Sequence, residues 1–209
     1  MKLRNTQARR SFATEVNNAR LILVFFEDRV LLKVIEAETP DHFDEVRRLC
    51  WEYRDFLLTL DAKSVRVVKT FYPRDVYARL MDEIEVEHAP PGGGVRLVLK
   101  DGHAVGCGMF RTIGPGIAEI KRVFVNDAAR GTGAGYAVMM SLIEQCREQG
   151  FDCIRMDTGK PLESATRLYL SMGFQLRDAY SEIPEIAKDT LLFFEMPLPG
   201  AQAENSQIE

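Results

Sequence analysis

The 209-residue chain is poor in the residues that mark metal, redox and secreted proteins. Its four cysteines, Cys50, Cys107, Cys146 and Cys153, form no CxxC pair, and each lies inside an apolar-periodic stretch. That pattern reads as reduced, buried thiols in a cytoplasmic protein. The three histidines, His42, His88 and His103, have no cysteine or carboxylate at ligand spacing, so no metal site is expected. Long apolar runs are missing too. The longest, Leu21 to Phe26, is far short of the roughly 20 residues of a membrane span, and Arg20 stands where a signal peptide's apolar core would extend. Nor is there an excess of basic charge: 27 Lys plus Arg against 31 Asp plus Glu give a net charge of -4, and no positive field exists to hold nucleic acid by counterion release. Internal repeats and low-complexity tracts are likewise lacking.

What is present is an ordinary globular composition, 46% apolar and 28% charged, long enough for one full-sized core. Residues 1–29 stand apart. They carry Lys2, Arg4, Arg9, Arg10, Arg20 and Arg29 against Glu15, Glu27 and Asp28, a local +3 beside -7 for the remainder. This segment reads as an extension outside the catalytic fold, contributing at most one extra strand and dispensable for chemistry. A single domain is expected over 30–198, with 199–209 a disordered tail.

Within 30–198 the period of the apolar residues sets the elements. Val30 to Ala37 is a β-type run, and Thr39-Pro40-Asp41 supplies an N-cap, a proline at the first helical position and an acid in the first turn. Phe43, Val46, Cys50, Tyr53, Leu57 and Leu60 then recur at spacings of three and four, predicting one long amphipathic helix. A weaker helix is expected from Asp75 to about Glu85, and His88 to Gly94 reads as a loop. Val95–Lys100 and Ala104–Thr112 flank Asp101-Gly102, a strong hairpin signal, and Ile117–Val125 completes an antiparallel meander. After a glycine-rich segment come a helix from Tyr136 to Gln149 and a strand from Phe151 to Thr158, so the strands on either side of that helix should pair in parallel. A helix from Glu163 to Met172, a strand from Phe174 to about Ala179, an acidic connection containing Pro184 and a last strand, Thr190 to Met196, finish a mixed α/β domain.

The segment richest in chemistry is Val123-Phe124-Val125-Asn126-Asp127-Ala128-Ala129-Arg130-Gly131-Thr132-Gly133-Ala134-Gly135-Tyr136. A strand runs into near-alternate glycines at the opening of a helix, so backbone N–H groups can converge on one point, which suits a phosphate. A close-packed glycine turn would look the same. A triphosphate P-loop is excluded because Tyr136-Ala137 replaces its Lys and Ser/Thr. A dinucleotide fingerprint is excluded by the three antiparallel strands that come first.

Arg130-Gly131-Thr132-Gly133-Ala134-Gly135 resembles the pyrophosphate loop of the GCN5-related N-acetyltransferases (GNAT), Gln/Arg-x-x-Gly-x-Gly/Ala. The resemblance extends to Ala118–Val125 as the preceding strand and to Ala165–Phe174 as the late helix and turn, and the order of elements is similar over roughly Val30 to Leu198. It looks like the small stand-alone bacterial branch. The resemblance implies a GNAT-like acyl-CoA N-acyltransferase fold, α/β with a mixed α+β sheet, in which an antiparallel meander is followed by a parallel β-α-β crossover with splayed central strands. It also implies transfer of acetyl from acetyl-CoA, as co-substrate, to a primary amine of a small molecule, peptide or protein by direct attack in a ternary complex; a non-catalytic acyl-CoA sensor is the alternative.

By the same resemblance, the backbones of Val123 and Val125 bind the pantetheine arm, the Val123 amide is the oxyanion donor, and Arg130, Gly131, Thr132, Gly133, Gly135 and Tyr136 form the pyrophosphate cradle. Tyr169 is the hydroxyl near the sulfur, with a buried core tyrosine on an amphipathic helix as the competing reading. Glu119 occupies the position of the base that some members use, although an exposed strand carboxylate is the competing reading. Leu162 stands where many members have a cofactor-binding asparagine, so no contact is assigned there. Asp157 and Thr158, at a strand end, are placed to touch acceptor or cofactor, or to serve as a cap. The loop 88–94 and the stretch 180–188 are expected to shape the acceptor side, and the resemblance implies a homodimer. The amine acceptor itself has no readable code.

Overall fold

The computed structural model describes residues 10–16, 19–26 and 29–198, with side chains from Leu32 onward; the expected tail at 199–209 lies outside them. Nine strands form one sheet in the order β1-β2-β3-β4-β5-β6-β7-β9-β8. They are β1 (Arg10–Val16), β2 (Ala19–Phe26), β3 (Arg29–Glu36), β4 (Gly93–Lys100), β5 (His103–Gly114), β6 (Ile117–Val125), β7 (Cys153–Gly159), β8 (Gln175–Arg177) and β9 (Leu191–Pro197). Every neighbouring pair is antiparallel except β6 and β7, which run parallel across the expected crossover. Where the sequence suggested at most one strand before residue 30, two form, β1 and β2, extending the sheet beyond β3.

The helices are α1 (Pro40–Leu57), α2 (Ala62–Phe71), α3 (Arg74–Asp82), α4 (Ile84–Glu87), α5 (Ala134–Glu148) and α6 (Glu163–Ser171). Thr39 caps α1, its hydroxyl accepting from the His42 amide at 3.2 Å. The long helix expected to reach Leu60 stops at Leu57, and Asp61, accepting from the amides of Lys63 and Ser64, starts α2. That second helix has a clear cap, but its short apolar stripe is hard to separate from a continuation of α1 in the sequence. The turn at Asp101 and Gly102 has both residues at positive φ, 51° and 82°, as the Asp-Gly hairpin requires.

Alternation along the strands divides the interior into two layers. On one face of the sheet Phe110, Ile154 and Phe194 meet Val138, Met139 and Leu142 of α5. On the other, Leu97, Cys107 and Met109 meet Leu49 and Cys50 of α1 and Met81 of α3. Helix α5 lies close to the sheet because Gly108 has no side chain: a Cβ there would stand 2.9 Å from Leu142 Cδ1. Cys50, Cys107 and Cys146 are buried, Cys153 is half-buried, and all four are free thiols.

The feature that positions the site is the short pairing of the two parallel strands. β6 and β7 are in register only at Ile117–Cys153, Ala118–Ile154 and Glu119–Arg155. Beyond Glu119, β6 runs on to Val125 with no β7 partner, and β7 runs on to Gly159 paired only with β9. The two strands therefore splay, and a V-shaped opening forms in the middle of the sheet.

Candidate active site

Two hollows meet at this opening, and Tyr53, Leu60 and Leu162 line both. The first, about 740 Å³, runs from β6 at Val123–Val125 past the glycine loop to α6. Its floor is made by a bulge. In the β5–β6 ladder the register jumps from Cys107–Phe124 to Met109–Lys121, so neither Arg122 nor Val123 has a cross-strand partner, and Arg122 sits at φ 51°. The bulge turns the backbone at Val123 out of the ladder at the mouth of the splay.

At the far end of this hollow the loop turns twice through positive φ, at Gly131 (75°) and Gly133 (96°), the latter being the N-cap of α5. Only glycine adopts these angles without strain. The amides of Ala134, Gly135 and Tyr136 have no hydrogen-bond partner among the described residues, and the 15-residue helix behind them directs its positive end the same way. Such a terminus suits a phosphate or pyrophosphate group. Gly131, Gly133, Gly135 and Tyr136 all line the hollow. Arg130 does as well, but it is already engaged, with Nη1 2.5 Å from Asp127 Oδ1 and its guanidinium 4.8 Å over the Phe56 ring. Thr132 is not brought in. Its hydroxyl donates to the Ala129 carbonyl at 2.6 Å and its amide turns to the same oxygen, because the short 3-10 turn at Asp127–Ala129 uses it as a closing residue.

Tyr169 projects from α6 into the same hollow between the rings of Phe174 and Phe194, at 6.2 and 5.7 Å. It is 4% exposed, and its hydroxyl makes no hydrogen bond among the described residues. Burial, reinforced by the nearby Asp157 charge, pushes its pKa well up, so the phenol stays protonated. It is a donor without an acceptor.

The second hollow, about 530 Å³, lies on the other side of the splay, bounded by α1, α2, Ile120–Arg122 of β6, Asp157–Gly159 of β7 and residues 181–184. The stretch 180–188 thus contributes lining to this hollow, through residues 181–184 and Ala187. The loop 88–94, by contrast, supplies none of the lining. His88 is instead buried in the core, its Nδ1 2.9 Å from the Phe110 carbonyl, and burial lowers its pKa to about 4.

The two carboxylates of this region differ. Glu119, at the closed end of the splay, is outside both hollows and 5% exposed. It accepts from Arg111 Nε and Nη2 at 3.2 Å, Lys121 Nζ at 3.0 Å and the Tyr180 hydroxyl at 2.8 Å. Burial pushes its pKa up, but these donors together outweigh that, and the carboxyl is held below its usual range. A carboxylate so saturated is a poor proton acceptor. Asp157 is exposed and opens onto the second hollow, with protein crowding the base of its side chain. Loss of water raises its pKa, with Lys121 and Tyr180 opposing and Glu119 adding to the rise. Tyr180 carried no motif in the sequence; its place follows from the loop 180–188 folding back over β6, where Lys121 already stands.

Comparison with known proteins gives a consistent picture. Residues 46–174 match the model of the "Acetyltransferase (GNAT) family". An uncharacterized N-acetyltransferase of Schizosaccharomyces pombe is 29% identical over 73% of this chain and 88% of its own. Two further N-acetyltransferases are matched over only 35% and 38% of their length. Among solved structures, an acetyltransferase of the GNAT family from Staphylococcus aureus superposes with a TM-score of 0.63 at 19% identity, covering 80% of this chain and 99% of that one. The PaiA N-acetyltransferase of Thermoplasma acidophilum, solved in complex with coenzyme A, superposes at 0.58 with 9% identity, covering 80% and 99%.

Proposed function

Because the chain belongs to the GNAT acetyltransferase family, we propose that the first hollow holds acetyl-CoA, the second holds an amine, and the two react where the hollows join. The observation that carries this reading is one alignment. The splay of β6 from β7, the unpartnered amides at the N-terminus of α5 and the unpartnered hydroxyl of Tyr169 all face one continuous space. The residues fit the group: an extended arm can add to the free edge of β6 at Val123 and Val125, and the pyrophosphate meets the amides of Gly133 to Tyr136. Bound acetyl-CoA supplies a thioester whose carbonyl is open to attack.

The chain's own groups then divide the work. The Val123 amide, freed by the bulge, points at the carbonyl oxygen and stabilises the negative charge that develops there. Asp157 takes the proton of the amine as the C–N bond forms, since it faces the acceptor hollow and its raised pKa makes it the better base. Glu119 acts through its hydrogen bond, fixing Tyr180 across from Asp157. Tyr169 donates to the sulfur as the C–S bond breaks. With its pKa pushed up, it stabilises the thiolate as a hydrogen-bond donor more readily than it surrenders its proton.

The test is calorimetry with acetyl-CoA, followed by thiol release with a panel of amino acids, peptides and polyamines. Tight binding with release for some amine is expected. Binding with no release for any of them would favour an acyl-CoA sensor, and no binding would remove the cofactor assignment.

A further inference from the structure

The second hollow holds three cations, Arg54, Lys121 and Arg122, and they are not equivalent. Arg54 donates to the Tyr72 carbonyl at 3.0 Å and lies 3.7 Å from Asp55. Lys121 is paired with Glu119 at 3.0 Å. Arg122 has no carboxylate partner among the described residues: its Nη1 lies 3.8 Å from Met109 Sδ, and its other polar neighbour is the neutral Tyr77 hydroxyl. The Tyr77 hydroxyl beside it donates elsewhere, to the Cys50 carbonyl at 2.9 Å. A half-buried guanidinium set against thioether, thiol and phenol has only neutral partners there, so its charge has no anion to neutralise it. Its backbone is also held at φ 51°, where a non-glycine residue is uncommon. The bulge that frees the Val123 amide thus also aims an unneutralised cation into the acceptor hollow.

Resting on the N-acyl-transfer reading above, we infer that the acceptor is an α-amino acid with a large apolar side chain, its carboxylate held by Arg122 and its amine delivered to Asp157. The placement favours the α-carboxylate. Arg122 immediately precedes Val123 on β6 and lines the same hollow as Asp157, so one acceptor in that hollow can meet both groups. Guanidinium and carboxylate match in planar, two-pronged geometry. The remaining wall is apolar, with Leu57, Val68 and Phe71 from the helical side facing Ile183 and Phe193, which suits a leucine, methionine or aromatic side chain. A protein N-terminus would present a neutral amide to Arg122 and leave it unpaired, and a polyamine would bring a second cation toward it.

The experiment uses the full chain saturated with CoA, which forms a dead-end complex, and measures binding of L-phenylalanine, L-leucine, L-tryptophan and L-methionine beside their amides and beside phenethylamine. At least one acid should bind roughly 30-fold or more tightly than its amide, the discrimination expected of a charge-assisted pair. In Arg122→Asn, a residue that tolerates the left-handed angle, the ratio of acid to amide should collapse to near one, with the CoA-induced thermal shift reporting that the variant is folded. The inference is overturned if no acid binds the CoA-loaded protein, if acids bind no better than amides, or if the ratio survives the substitution. The parent reading fails separately, if CoA itself does not bind or if no amine of any class releases its thiol from acetyl-CoA.

Discussion

The two hollows on either side of the β6–β7 splay are built from different parts of the polypeptide. The cofactor side is made largely of backbone: the free edge at Val123 and Val125, the positive-φ glycines and the first amides of α5. The acceptor side is made of side chains borne by elements far apart in the chain, Arg54 on α1, Arg122 on β6, Asp157 on β7 and Phe193 on β9. A backbone site binds what is common to all substrates of a kind and tolerates little change at its glycines. A side-chain site selects among acceptors and can be altered one residue at a time.

The sharpest way to break this contrast is Gly133→Val. The φ of 96° costs a β-branched residue roughly 1–2 kcal/mol and displaces the amides behind it, so acetyl-CoA affinity should fall about 100-fold by calorimetry. Affinity unchanged within about threefold would mean that the loop only packs. Next in size, Tyr169→Phe should lower kcat about 30-fold with CoA affinity kept, since the lost hydroxyl contacts nothing in the free protein. An equal loss of affinity would place Tyr169 in binding instead.

Two carboxylates allow a finer comparison. Asp157 must be ionised to accept a proton, so activity should fall with decreasing pH through a pKa above the ordinary aspartate value of about 3.9. Asp157→Asn should lower kcat about 10-fold and abolish that acidic limb. If the limb stays, another group is the base. Glu119→Gln should change kcat less, by about 3-fold, and act instead on stability. Glu119's folded pKa is depressed, so its contribution is present above the unfolded glutamate value of about 4.3 and is lost as pH falls through the folded pKa. The variant's melting temperature should therefore be flatter with pH on the acid side. The smallest effect is expected from deleting residues 1–29: β1 and β2 form one edge of the sheet, with β3, β4 and β5 between them and the splay, and CoA affinity should stay within about twofold.

The same contrast explains what could be read from the sequence. The glycines of 131–135 announce a backbone site because their spacing is local, and the alternation of β4 to β6 and the caps of α1 are local signals too. The acceptor side has no such signature. Arg122 is one arginine in a strand until a register shift opposite Gly108 turns it into the hollow, and Tyr180 lies in an acidic stretch with no period. Glu119 was legible as a carboxylate near the chemistry, and Lys121 two residues along β6 and Arg111 across the β5–β6 ladder lie within reach of strand rules, but Tyr180 arrives from the 180–188 loop at a separation no spacing rule spans. The break between α1 and α2 was missed because Asp61 caps a helix whose apolar stripe continues that of the one before.

One consequence of the three-residue pairing between β6 and β7 is that the molecule carries a sheet edge in its interior. Outer edges recruit other chains, whereas this one opens into a hollow walled by α1 and α6. On the reading proposed above, the pantetheine arm completes the sheet. Amide hydrogens on the splayed part of β6 should therefore exchange with solvent quickly in the free protein and slow sharply on loading, while those of β4 and β5, already paired, keep the same clock throughout.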